Sequence, residues 1–98
     1  MTFQITWTDN AQEDLQQILD YLIKNWSEKD ADNFLEKLFL RIDILSKSPL
    51  IGKKSDKLSS VRRIVITRHN LLFYTVEGDN IIIQDIFDTR QDPSKSPF

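Results

Sequence analysis

Residues 61–87 read VRRIVITRHNLLFYTVEGDNIIIQDIF, and this stretch decides the fold. Val61 to Thr67 is rich in strand-favouring residues, Leu71 to Val76 is a second such run, and Ile81 to Phe87 is a third. β-branched and aromatic side chains suit the pleated, half-buried surface of a sheet. Between the last two runs, Glu77-Gly78-Asp79-Asn80 is turn chemistry, because Gly78 and Asn80 tolerate positive φ. Short links between consecutive strands make a β-meander.

Upstream the period changes. Phe3, Ile5 and Trp7 alternate with Gln4 and Thr6, as in a short strand with one buried face. Thr8 or Asp9 can cap a helix over residues 9–25, with Glu13 and Asp14 favoured early by the helix dipole. Ala11, Leu15, Ile18, Leu19 and Leu22 form its apolar face, and the acids around it read as a solvated face. Ser27, with Asp30 three residues on, opens a second helix in a shorter-armed relative of the capping box. Ala31, Phe34, Leu35, Leu38, Phe39, Ile42 and Leu45 are its stripe, and Ser48-Pro49 ends it, since a residue before proline is pushed out of helical geometry. Trp26, between the helices, reads as a packing lid. The short link predicts an antiparallel helix hairpin. Residues 50–60 have no period and read as a basic loop. The order β-α-α-β-β-β predicts an α+β fold: a twisted antiparallel sheet with both helices on one face.

Composition bounds the rest. The 98 residues predict one domain, 1–98. The absence of cysteine removes disulfides, thiolate metal sites and cysteine catalysis, and agrees with a reducing cytoplasm. The N-terminus lacks a signal pattern and no apolar run is long enough to span a bilayer, so the expectation is a soluble, cytoplasmic protein with no membrane partner. No phosphate-cradling glycine loop, nucleophile elbow or metal-ligand cluster is present, and neither a cofactor nor a metal is expected. His69 is the only histidine. It reads as a locally bonded turn residue, with proton transfer open to it through its near-neutral intrinsic pKa.

What remains is cationic. The net charge is −2, but residues 46–70 carry seven bases against the single acid Asp56, while residues 1–45 carry nine acids against four bases. Lys53, Lys54 and Lys57 precede the strand that holds Arg62 and Arg63, Arg68 follows it, and Arg90 follows the last strand. Side chains two apart on a strand share a face, so Arg62 and Arg68 share one unless a bulge intervenes, and Arg63 points the other way. Two readings stand: a phosphate-binding set of guanidiniums, or a solvated basic strand that guards a sheet edge.

Taken in order, these pieces resemble the RelE/ParE toxins of bacterial toxin–antitoxin pairs. Ile5-Thr6-Trp7, then Ala11, Asp14-Leu15, Ile18 and Tyr21, look like that family's first strand and helix. Ala31 with Phe34, then Ile42, Leu45, Pro49 and Gly52, match the second helix and its exit. Val61-Arg62-Arg63-Ile64, Leu72-Phe73-Tyr74, Ile86-Phe87 and Arg90-Gln91-Asp92-Pro93 match the sheet and tail.

The resemblance implies a toxin silenced by a cognate antitoxin protein. One branch of the family cleaves mRNA on the ribosome, and the other inhibits DNA gyrase. Arg68 and Arg90 fall near basic positions of the RNA-cleaving branch, and Lys53 and Lys54 resemble its loop lysines. This makes Arg68, Arg90, Arg63 and His69 the candidate catalytic residues. Lys53, Lys54, Lys57, Arg62, Arg68 and Arg90 are the candidate nucleic-acid contacts. The tail after Arg90 has no Tyr or His, where the RNA-cleaving branch has a proton-transfer residue, and looks more like the Arg-x-Asp-Pro ending of ParE-like members. The expectation is therefore gyrase inhibition. A ribosome-dependent mRNA endonuclease and a non-toxic binding partner are the alternatives.

Overall fold

The computed structural model describes residues 2–90 and 93–98. It runs β1 (Gln4–Trp7), α1 (Asp9–Asn25), α2 (Glu28–Lys47), β2 (Lys53–Lys54), β3 (Arg62–Thr67), β4 (Asn70–Glu77) and β5 (Asn80–Asp88), with a 3-10 turn at Pro93–Lys95. The helix starts follow the capping chemistry. Thr8 Oγ1 accepts from the Ala11 amide at 3.1 Å, and Ser27 Oγ accepts from the Asp30 amide at 3.1 Å while its hydroxyl donates to the Asp30 carboxylate at 2.7 Å. Gly78, at φ 57°, turns β4 into β5, the conformation only glycine adopts freely. Asn80 does not share it; it begins β5.

The sheet has five strands in the order β1-β5-β4-β3-β2. Two features depart from the sequence reading. First, β1 pairs with β5 in parallel, Ile5 opposite Ile81 and Trp7 opposite Ile83, so the sheet is mixed. Alternation fixes which faces a strand shows, not its direction; the two-helix crossover returns the chain so that β5 runs alongside β1. Second, the basic loop contains β2, antiparallel to β3 with Lys53 opposite Arg63 and Lys54 opposite Arg62. Two lysines carry no β signal; the pairing comes from tertiary anchoring of the loop.

That anchoring runs through Tyr74, which is fully buried. Its hydroxyl donates to the Pro49 carbonyl at 2.7 Å and accepts from the Gly52 amide at 2.9 Å. Arg62, its neighbour across β3–β4, donates from Nη1 to the carbonyls of Gly52 (2.8 Å) and Leu50 (3.2 Å). Burial pushes the Tyr74 phenol up, while the Gly52 amide and the Arg62 guanidinium draw it back. Gly52 has no room for a side chain: a Cβ would lie 2.8 Å from Tyr74 Cε1, 2.9 Å from the Arg63 carbonyl oxygen, and closer still to the Tyr74 hydroxyl.

Both faces of the sheet are covered. Ala11, Phe34, Leu38 and Leu45 pack with Ile66, Leu72, Tyr74, Ile81, Ile83 and Ile86 beneath the helices. On the other face Val61, Phe73 and Phe87 form a smaller cluster that Phe98 reaches, its ring centroid 5.4 Å from that of Phe73. Lys57 Nζ donates to the Ser96 carbonyl at 2.8 Å, which fastens the tail across this face.

One acid read as solvated is instead structural. Asp14 accepts from the Ile86 amide at 3.0 Å and meets the buried Asp85, whose Oδ1 also accepts from Asn10 Nδ2 at 2.7 Å. A register shift where Phe73–Tyr74 faces β5 leaves Gln84 without an opposite residue, and places this pair against α1. Burial, and then the Asp14 carboxyl, raise Asp85 from 3.8 to about 7.

Two outcomes are expected. Tyr74→Phe strands the Gly52 amide and the Pro49 carbonyl and lowers stability by about 1–3 kcal/mol, and Gly52→Ala lowers it at least as much; urea denaturation of each variant measures both. Between about pH 4 and about pH 7 the folded chain holds a proton on Asp85 that the unfolded chain has released, so stability falls as pH rises through that window. Asp85→Asn, which mimics the protonated form, should flatten this slope and raise the denaturation midpoint at about pH 8.

Candidate functional site

α1 lies over β5 and α2 over β3. Where the helix hairpin meets the β3–β4 turn and the end of β5, a groove of about 790 Å³ remains. Ile18, Leu22, Phe34 and Ile86 give it an apolar lining, and Tyr21 and Trp26 stand at it 50% and 70% exposed. Trp26 is therefore not a packing lid: it follows the last residue of α1, beyond the reach of the core. Around the aromatics stand Lys37, His69 and Arg90 together with Asp14, Asp30 and Asp88.

His69 and Arg68 form the two-residue turn between β3 and β4. No described non-glycine residue has positive φ, which rules out the primed turns that match strand twist, and a register shift between Val65 and Thr67 accommodates the alternative. The turn is fixed by Thr67 Oγ1, which donates to Asn70 Oδ1 at 2.7 Å and accepts from the His69 amide at 3.2 Å. The Thr89 amide holds the His69 carbonyl at 2.8 Å. Arg68 Nε donates to His69 Nε2 at 3.2 Å, so His69 is the locally bonded turn residue that its sequence position indicates. The bulge also removes the shared face expected for Arg62 and Arg68.

Arg90 is paired rather than free. Its Nε and Nη2 donate to the two Asp88 carboxylate oxygens at 3.0 and 2.7 Å, in the bidentate geometry that matches guanidinium to carboxylate. This pairing holds the Asp88 carboxyl below its ordinary value, with burial opposing it, and raises Arg90.

The other cations sit at the far end of β3. From Arg63 to Arg68 the strand covers roughly 16 Å at about 3.3 Å per residue. There Lys53 faces Arg63 and Lys54 faces Arg62, and like charges directly opposite destabilise a strand pair. Arg62 is committed to the loop carbonyls and Lys57 to Ser96. Among the described residues, no side-chain hydrogen bond or ion pair engages Lys53, Lys54 or Arg63. The candidate residues thus divide into two groups: Arg68, His69 and Arg90 at the groove end, and Lys53, Lys54, Lys57, Arg62 and Arg63 at the basic end.

Sequence reasoning missed the groove aromatics and the Asp14–Asp85 pair. Tyr21 follows Ile18 by one helical turn, a spacing that indicates a shared face. Asp85 offered no such signal, because its burial depends on the β5 bulge.

The comparisons with known proteins agree with this architecture. The model of the ParE toxin of type II toxin–antitoxin systems, parDE, matches residues 5–93. Toxin ParE1 of Mycobacterium tuberculosis is 31% identical over 72 residues, which is 74% of each chain. A chain of the chromosomal ParDE system from P. aeruginosa superposes with a TM-score of 0.75 at 19% identity, covering 89% of this chain and 96% of that one. The YoeB/ParE toxin from Agrobacterium tumefaciens superposes with a TM-score of 0.66 at 14% identity, covering 87% and 96%. These two structures speak to the α+β fold; the family match speaks to the role. The chain belongs to the ParE toxin family of type II toxin–antitoxin systems, within the wider RelE/ParE superfamily, and an antitoxin is accordingly its partner.

Proposed function

We propose that this toxin acts in the bacterial cytoplasm, as a single domain, by binding and inhibiting DNA gyrase rather than by cutting mRNA. The observation that carries this reading is the bidentate Arg90–Asp88 pair. Cleavage of RNA by a 2′-hydroxyl requires a base, an acid for the leaving group and cations on the phosphate. Here Arg90, which falls near a basic position of the RNA-cleaving branch, is already paired with a carboxylate, and Asp14 and Asp30 line the same groove. Such a groove disfavours a phosphodiester. Its exposed Tyr21 and Trp26, ringed by charges of both signs, are the residue types that dominate protein–protein contacts. No helix among the described residues is long and apolar enough to cross a membrane, which accords with a cytoplasmic target.

The second reading, ribosome-dependent mRNA cleavage, draws on the convergence of His69, Lys37 and Arg90 at one groove. Within it Arg68, Arg63 and His69 would be the remaining catalytic candidates, and Lys53, Lys54, Lys57 and Arg62 the nucleic-acid contacts.

Inducing the toxin alone in a bacterial host separates the readings. Gyrase inhibition predicts growth arrest with DNA damage and intact mRNA, relieved by co-expressed antitoxin. Rapid codon-positioned mRNA cleavage would overturn it in favour of the nuclease, in which case Arg68→Ala and Arg90→Ala should each abolish cleavage. Normal growth would point to a non-toxic member of the family.

A further inference from the structure

β5 runs on to Asp88, but β1 beside it ends at Trp7, opposite Ile83. Beyond that point α1 takes up the backbone of β5. The Thr8 amide and hydroxyl donate to the Ile83 carbonyl at 3.1 and 3.0 Å, and the Asp14 carboxylate accepts from the Ile86 amide at 3.0 Å. Asp14 is also hydrogen-bonded to Asp85, which is 7% exposed.

The surroundings of this acid pair supply no counter-charge. α1 brings Asp14 itself and Asn10, whose amide donates to Asp85. β4 places Phe73 opposite Asp85, and β1 has already ended. Of the groove's other charges, Asp30 and Lys37 stand on α2, and His69, Asp88 and Arg90 stand at the β3–β4 turn and the end of β5. Arg90 is taken by Asp88, and no ion pair among the described residues reaches Asp14 or Asp85. Two carboxyls in hydrogen-bond contact without a cation are held together by a proton; ionised together, they repel.

The pair also stands in the wall of the groove. Asp14 and Ile86 both line it, and so does Ile18, one helical turn beyond Asp14 on the same face of α1. The bond from the Ile86 amide to Asp14 therefore fixes how far α1 stands from β5 at the groove's apolar lining.

We propose that Asp14 and Asp85 form a proton-operated latch between α1 and β5. It is shut while the carboxyls share a proton, opens more often once both are ionised, and so regulates access to the groove. Its bearing on a partner rests on the reading of the groove as a protein-binding surface; the latch itself does not.

Amide exchange of the free, intact chain, followed by NMR from pH 6 to pH 8 and corrected for intrinsic rates, tests the latch separately from any effect on gyrase. The Ile86 amide should be at least tenfold less protected than that of Leu38, in the middle of α2, because it opens locally. Asp85 titrates at about 7 with the latch shut and near its ordinary value with the latch open, so protection of Ile86 should fall about tenfold from pH 6 to pH 8. Asp85→Asn keeps the pair bonded without the proton and should abolish this fall. Asp14→Asn should do the same from the other side, since its carbonyl oxygen still accepts from Ile86 while its amide donates to the ionised Asp85. If neither variant folds, the pH profile of the unaltered chain decides. Equal protection of Ile86 and Leu38 at both pH values, a pH-independent Ile86, or the same fall in a folded variant would each overturn the proposal.

Discussion

The hydroxyl of Tyr74, fully buried beneath the helices, holds the carbonyl of Pro49 and the amide of Gly52, and these two bonds order much of what lies around them. They stop the chain leaving α2 from wandering over the surface and bring it onto β3, where Arg62 secures the same loop by two further carbonyls. β2 exists because of this. Two lysines beside two arginines would not choose to pair, since the electrostatics oppose it; the anchored loop leaves them no other register. The opposed cations, the end of β2 and hence the open edge of β3 all descend from one buried phenol and the glycine that makes room for it.

Charge is distributed along β3 accordingly. At one end Lys53, Lys54 and Arg63 remain available while Arg62 is consumed in structure. At the other, Arg90 is neutralised by Asp88 and Arg68 leans on His69. What the groove end offers is a mixed-charge surface with exposed Tyr21 and Trp26, and what the basic end offers is an accessible strand edge.

The fold was largely legible because its main signals are local. The caps at Thr8 and Ser27, the stripe from Ala31 to Leu45, and the turn at Gly78 each act within a few residues, and each appears where the sequence places it, except that Phe39, expected in the stripe, turns to solvent at 56% exposure. What depended on distant contacts was not legible. Nothing in Gln4–Trp7 says whether β1 runs with or against β5, and nothing in Lys53–Lys54 says strand. The cations were readable as a group but not their division, because the bulge near Ile66, the Arg62 loop bonds and the Arg90–Asp88 pair are tertiary facts. Asp14 and Trp26 went opposite ways for the same reason: the pattern of α1 alone does not reveal that β5 reaches up to one and that the core stops short of the other.

On the proposed function, this toxin works by occupying a protein target. Adding the purified chain to purified gyrase and relaxed plasmid tests that most directly. Supercoiling should fall as the chain is titrated in and recover when antitoxin is added. Undiminished supercoiling at a large molar excess of a folded, growth-arresting chain would contradict it.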